Sequence, residues 1–286
     1  DKYASEADAI VVINRIKPHV AFTGPYESGL MKMITIGLGK QKGADTCHNL
    51  GFGKMAENIP AIANVVLESA NIVFGIGILE NAYDQVRRIV ALSSERIPID
   101  EPNLLLEAKS YVPRLPFEQF EVLVIDEIGK DISGTGLDTK VVGRYHTPYA
   151  DDGLGPVISR VGVLDLTEPS HGNANGIGLA DYTTRRLLNK MDMEQTYANS
   201  LTSTVPLSVK IPMVLGSDQQ VFQACIKCSN VMDKHRVRVV RIKNTRDLDH
   251  LFVSENMCQE ILQNPQLEIT SEPVDLPFDQ SGNLLP

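Results

Sequence analysis

The residues whose types and spacing invite chemistry gather in one stretch, 14–48, which holds two of the chain's six histidines, His19 and His48. The stretch follows the apolar run 9–13, Ala-Ile-Val-Val-Ile, which is short and β-branched. Such a run predicts a buried strand of an α/β sheet. Polar residues just beyond a strand's carboxyl end stand where these sheets bind ligands. Gly29, Gly37, Gly39 and Gly43 let the backbone approach a ligand closely or take positive φ. Lys32 and Lys40 set positive charge beside those amides, a combination that suits phosphate. A glycine-lysine loop alone is as often a plain turn. Here it lies between two imidazoles, which suit metal ligation and acid–base work near neutral pH.

Two further loops carry candidate chemistry. The apolar run 120–125 ends in Asp126-Glu-Ile-Gly-Lys130, with Gly134 and Gly136 just beyond. The plainer reading of Lys130 is a surface pair with Asp126 or Asp131. Residues 170–176, Ser-His-Gly-Asn-Ala-Asn-Gly, offer His171 either as a base or, more simply, as a surface or capping residue. Cys225-Ile-Lys-Cys228 has the spacing of a metal or redox pair, yet Val221, Ala224, Cys225 and Cys228 share one face of an expected helix over 217–230. Thiols on such a face act as small hydrophobes. Cys47, next to His48, points about 100° away from it on a helix and is expected to pack.

Pro18-His19, the Gly/Ser segment ending in Lys32, the run Ile-Gly-Leu-Gly-Lys-Gln-Lys-Gly-Ala and then His48 resemble the nickel-dependent lactate racemases and their 2-hydroxy-acid racemase and epimerase relatives. In that family a lysine is covalently joined to a nickel pincer nucleotide, a pyridinium mononucleotide whose two sulfurs and one carbon grip nickel. A histidine sixteen residues on is the fourth ligand, and the step from Lys32 to His48 is 16. The resemblance therefore implies Lys32 as cofactor anchor, His48 as nickel ligand and His19 as the proton-transfer residue. Lys130 resembles the family's carboxyl-terminal-domain lysine that contacts substrate, with Glu127 three residues before it. One departure stands out: His19 to Lys32 is 13 residues, longer than in the lactate racemases themselves, which puts lactate as the substrate in question. The resemblance further implies a preceding stretch of chain carrying a second catalytic histidine, a carboxylate-binding arginine and part of the nucleotide-phosphate site. It also implies cofactor-synthesis enzymes as partners.

The chemistry is coherent. A C–H next to an ionised carboxylate is far too weakly acidic for a side-chain base. Hydride removal instead leaves a stable 2-keto acid that can be reduced on its other face. That route needs an electrophilic carbon, a base for the hydroxyl and cations for the carboxylate. Two rival readings are a zinc- or magnesium-dependent hydrolase or lyase using His19, His48 and Glu27, and a non-catalytic nucleotide-binding regulator. No HExxH, Walker A or GxGxxG motif supports either.

Positioning these residues calls for two α/β domains, 1–115 and 116–286, divided at the Pro-flanked Arg114-Leu-Pro116, with the active-site cleft between them and the first domain incomplete at its amino terminus. Strands are expected at 72–79, 120–125, 157–166 and 237–242. Helices are expected at 49–68 with a boundary at Ile59-Pro60, and at 83–91, 101–111, 179–191, 217–230 and 254–262. Ser254 is the expected N-cap of the last helix, 141–155 reads as a mobile insertion, and 276–286 as an irregular tail. The chain has 286 residues and 43% hydrophobic content, enough for real cores. A net charge of −9 argues against a nucleic-acid surface. The most apolar window, 59–79, is interrupted by Asn64, Glu68 and Asn71, so no membrane span is expected. Four cysteines make no disulfide framework. No signal peptide is visible. The expectation is a cytoplasmic enzyme with a small-molecule substrate, with room for a homo-oligomer.

Overall fold

Alternation of short β-branched runs with amphipathic stretches yields a mixed α/β fold built on two separate, mostly parallel sheets. The computed structural model describes residues 1–151, 153 and 155–285. Two units divide the chain: Asp1–Pro113 with Thr147–Asp152 and Thr202–Val205, then Arg114–His146 with Gly153–Leu201 and Pro206–Pro286. Among the described residues no helix is long and apolar enough to cross a membrane.

In the first unit α1 (Lys2–Ser5) precedes β1 (Ile10–Arg15), and α2 (Leu30–Lys32) runs straight into a π turn, Met33–Gly37. Then come α3 (Lys40–Asn49), α4 (Met55–Ser69), β2 (Ile72–Glu80), β3 (Val86–Ser93) and α5 (Ile97–Lys109). The sheet order is β1-β2-β3, with β1 parallel and β3 antiparallel to β2. One sheet face buries Val12, Leu79 and Leu92 against Leu30, Ile34, Ile59 and Ile97. The other face is apolar and open: Ile13 is 56% exposed and Ile89 64%, with Val11 and Phe74 beside them.

Three expectations fail in this unit. The expected helix 83–91 is strand β3. Val86, Ile89 and Val90 fit a helical step, but Asn81 and Asp84 build a hairpin turn before them. The Asn81 side-chain oxygen accepts from the amides of Tyr83 and Gln85, and Asp84 sits at φ 57°. Local turn chemistry decides the period. Pro60 is no boundary, because α4 runs through it. Burial of Met55, Ile59 and Ala63 on one stripe offsets the missing amide bond. Lys32 lies on a helix rather than in a glycine loop.

The second unit holds β4 (Gln119–Ile128), α6 (Thr139–Val142), β5 (Val157–Leu166), β6 (Tyr182–Thr184), α7 (Arg185–Lys190), α8 (Met193–Ser203) and β7 (Met213–Leu215). It continues with α9 (Asp218–Lys227), β8 (Val239–Ile242), β9 (Phe252–Val253) and α10 (Cys258–Gln263). Sheet order is β7-β6-β5-β4-β8-β9, parallel except for β9. β4 is buried on both faces: Val122 and Val124 enter one core, Leu123 and Ile125 the other, the period-2 signature of a central strand.

The expected helix 179–191 is split. β6 occupies 182–184 and Thr184 caps α7 by accepting from the Leu187 amide. Asp181 is no helix-start anion: it pairs with Arg144 at 2.8 Å and accepts from the Val161 amide. Ser254 does not cap with its side chain. Nor do residues 141–151 form an insertion: Val141 and Val142 are core, and Arg144 donates to the carbonyls of Leu179 and Ser159. Asp152, in the expected Asp-Asp-Gly turn, lies outside the described residues.

Candidate cofactor-anchoring site

The site begins at the carboxyl end of β1. Lys17 is bridged antiparallel to Ser28, with N···O distances of 2.8 and 3.2 Å, so the loop between them closes on itself. Glu27, fully buried, holds that loop together. Its carboxylate accepts from the amides of His19 and Gly24 and pairs with Lys109 of α5. With both oxygens so engaged, Glu27 is unsuited to the metal-ligand role of the rival hydrolase. Among the described residues no group of three or more His, Cys, Asp or Glu side chains forms a metal-holding cluster.

The helix carrying Lys32 starts at Leu30, and a second buried carboxylate stands at its amino terminus. Glu101, 1% exposed, accepts from the Met31 amide at 2.9 Å and also from Leu30. Gly29 is required because any Cβ there would collide with that carboxylate. The amides expected to cradle phosphate are thus taken by an internal anion. Burial pushes the Glu101 carboxyl up to about 7, against the two amide bonds that favour its ionised form. The remaining glycines serve packing. A Cβ at Gly39 or Gly43 would press on the Thr35 carbonyl, so they let α3 approach the π turn. The positive φ falls on Lys40, at 52°, and its amine pairs with Asp1 at 2.9 Å.

Lys32 is half-buried and its amine has neither an ion pair nor a hydrogen bond among the described residues. Burial, with the charge of Lys17 second, pushes it down to about 8. An amine so placed has a sizeable neutral fraction near neutral pH and is a nucleophile.

His48 is half-buried on the last turn of α3. Its Nδ1 lies 2.7 Å from the Ala44 carbonyl. A carbonyl only accepts, so the proton is on Nδ1 and the Nε2 lone pair is left for a metal, the arrangement that orients ligating histidines. His19 is held the opposite way. The Ala21 amide donates to its Nδ1 at 3.1 Å, which leaves the ring proton of the neutral form on Nε2. Phe52 brings the two histidines into one neighbourhood, with ring centroids 6.1 Å from His19 and 5.6 Å from His48. Phe22 covers the other side of His19 at 4.6 Å.

A strap of chain, 147–150, fastens the His19 loop. Thr147 Oγ1 donates to the Ala21 carbonyl at 2.6 Å, and the Thr23 amide donates to the Tyr149 carbonyl at 2.8 Å. The Tyr149 ring lies over Gly53, where a Cβ would be 2.8 Å from it.

In the second unit Lys130 follows β4, and burial lowers its amine below the ordinary lysine range. It pairs with neither Asp126 nor Asp131. Its Nζ donates to the Gly134 carbonyl at 2.7 Å, Asp126 is gripped by Arg241, and Asp131 accepts from Thr167 and Ser170. Glu127 accepts from Asn244. His171 is exposed at φ 49°. Cys47 and Cys225 are buried in cores, and burial pushes the Cys225 thiol up to about 12.

Within the first unit the structure brings His19, His48, Lys17 and Lys32 around one strand end. Phe52, Glu101 and the strap escaped the sequence reading. Lys17 was legible as part of Lys-Pro-His but had no role. No protein-family model, no curated protein and no solved structure matches the chain.

Proposed function

We propose that the chain carries the cofactor-anchoring part of a 2-hydroxy-acid racemase or epimerase that works by reversible hydride transfer to a nickel pincer nucleotide. The observation that carries the reading is Lys32, an unpartnered, half-buried amine pushed down to about 8 on the turn expected to anchor the group. The donor set fits. Lys32 offers a neutral amine for a covalent link, and His48 offers a free Nε2 for one coordination position. When bound, that group supplies an electrophilic carbon able to store and return hydride.

The chain's own residues do the rest. His48 stays Nδ1-protonated through Ala44, so its lone pair keeps a fixed direction. His19 moves the proton of the substrate hydroxyl, and Phe22 and Phe52 keep water from its ring faces. Taking that proton at Nε2 needs a lone pair there, so the Ala21 amide must leave Nδ1 before His19 acts. Lys130, with its amine partly freed of charge by burial, is the proposed substrate contact of the second unit. Rotating the keto acid between hydride loss and return inverts C2.

Deuterium at C2 tests the chemistry. Racemisation of 2-deuterated hydroxy acid in ordinary water returns deuterium to C2 of the inverted product. Wash-out into solvent during single inversions indicates proton abstraction and contradicts the reading.

A further inference from the structure

Lys17 belongs to the Lys-Pro-His segment, yet the chemistry above gives it no task. Its backbone is pinned by both hydrogen bonds of the bridge to Ser28, one residue before the N-cap of the helix that carries Lys32. Its side chain is exposed at the site's edge, with no carboxylate or hydrogen-bond acceptor among the described residues. Lys32, one turn into α2, is likewise unpartnered. Two cations without an anion between them are an unfavourable arrangement unless something uses it.

The other ionisable groups on the elements packed against α2 are engaged elsewhere or exposed. Glu101 of α5 sits on the Leu30 and Met31 amides, with the Tyr26 phenol near it donating to the Pro98 carbonyl. Asp100 pairs with Arg96, Glu107 with Arg88, and Lys109 with Glu27. Arg15 of β1 pairs with Glu80 of β2, Glu57 of α4 pairs with Lys54, and Glu68 is exposed. Lys17 alone is left to act on the Lys32 amine.

We propose that Lys17 is a positioning residue for Lys32: it holds the neighbouring amine in its neutral, nucleophilic form and presents its own positive charge to an anionic, phosphate-bearing acyl donor. The inference rests on the reading of Lys32 as a covalent anchor. Bond formation at Nζ needs the nitrogen lone pair, which an ammonium lacks. As the C–N bond forms, the leaving group departs with its electron pair and the displaced proton goes to solvent. Burial supplies the larger part of the depression to about 8 and Lys17 the rest. The gain is selectivity: the charge that repels a proton from Lys32 attracts a phosphate-bearing reactant to it.

The test uses the cofactor-free chain and two acyl donors, neutral acetic anhydride and anionic acetyl phosphate. Each acetylates the neutral amine, releasing acetate or phosphate and a proton, and Lys32 modification is read by peptide mass spectrometry across pH. The chain itself should show a Lys32 midpoint near 8. Lys17→Met should raise it by roughly half a pH unit, the scale of one partly screened neighbouring charge, so that labelling near pH 7 falls about threefold. Lys17→Arg should restore the midpoint. Loss with acetyl phosphate should exceed loss with the anhydride.

An unchanged midpoint in Lys17→Met, or equal losses with both donors, overturns the proposal. Circular dichroism and the labelling of Lys54 confirm that each variant is folded and the reagents equivalent. The outcome is independent of the racemase reading: an absent nucleotide adduct on Lys32 in native protein would defeat that reading while leaving this coupling measurable.

Discussion

His19 and His48 lie against the same phenylalanine and hold their ring protons on opposite nitrogens. The difference follows from what touches each Nδ1: a carbonyl at His48, an amide N–H at His19. Long-range ¹H–¹⁵N correlation above the imidazole titration should show the Nδ1–H tautomer for His48 and Nε2–H for His19. The same tautomer at both would contradict the geometry. Thr147→Val removes the hydroxyl that holds the Ala21 carbonyl, and should mix the His19 tautomers while leaving His48 unchanged. Lys32→Arg retains charge but not the nucleophilic amine, so racemisation should vanish while the thermal midpoint stays within a few degrees. At this scale the sequence was informative about identity and spacing. It was silent about tautomers, because the Ala44 carbonyl and Ala21 amide are backbone groups without any side-chain signature.

Two buried ionisable groups give the elements a pH dependence. Glu101 caps α2 with its carboxyl raised from 4.5 to about 7. The folded state therefore holds its proton more tightly than the unfolded chain does. Stability from this group is full below about pH 4.5 and is lost as pH rises to about 7, a swing of roughly 3 kcal/mol. Glu101→Gln should remove that slope from urea-unfolding free energies measured between pH 4.5 and 7.5. A retained slope would place its origin elsewhere.

His146, 9% exposed, has its Nε2 buried without a partner, and burial pushes it down to about 4. Here the sign reverses: the unfolded chain takes the proton first, so stability falls as pH drops from about 6.5 to about 4. His146→Phe should flatten that acid limb. These elements were unevenly legible. Strands β1, β2, β4 and β5 stood out as β-branched runs, whereas β6, β7 and β9 are two or three residues long and leave no periodic trace. Helix α4 crosses Pro60 because tertiary burial outweighs a local penalty that sequence alone presents as a stop.

Over the whole molecule, an α/β fold with two separate sheets was readable from the alternation of elements. What escaped was the asymmetry of the first sheet, whose outer face of Val11, Ile13, Phe74 and Ile89 is as apolar as its inner one and yet open. Burial pattern depends on what packs on a strand, and composition does not report that. Ile13→Thr should therefore change stability by less than about 0.5 kcal/mol, while Val12→Ala, one residue away on the covered face, should cost about 1–3 kcal/mol. Equal costs in denaturant titrations would mean that both faces are covered in solution. The central claim concerns what Lys32 carries. Native protein from cells that make the cofactor should be digested, the Lys32 peptide weighed and nickel assayed on the same sample. The account predicts a peptide heavier by a mononucleotide bearing two sulfurs, with nickel in stoichiometric amount. An unmodified Lys32 with no nickel in that protein would contradict it.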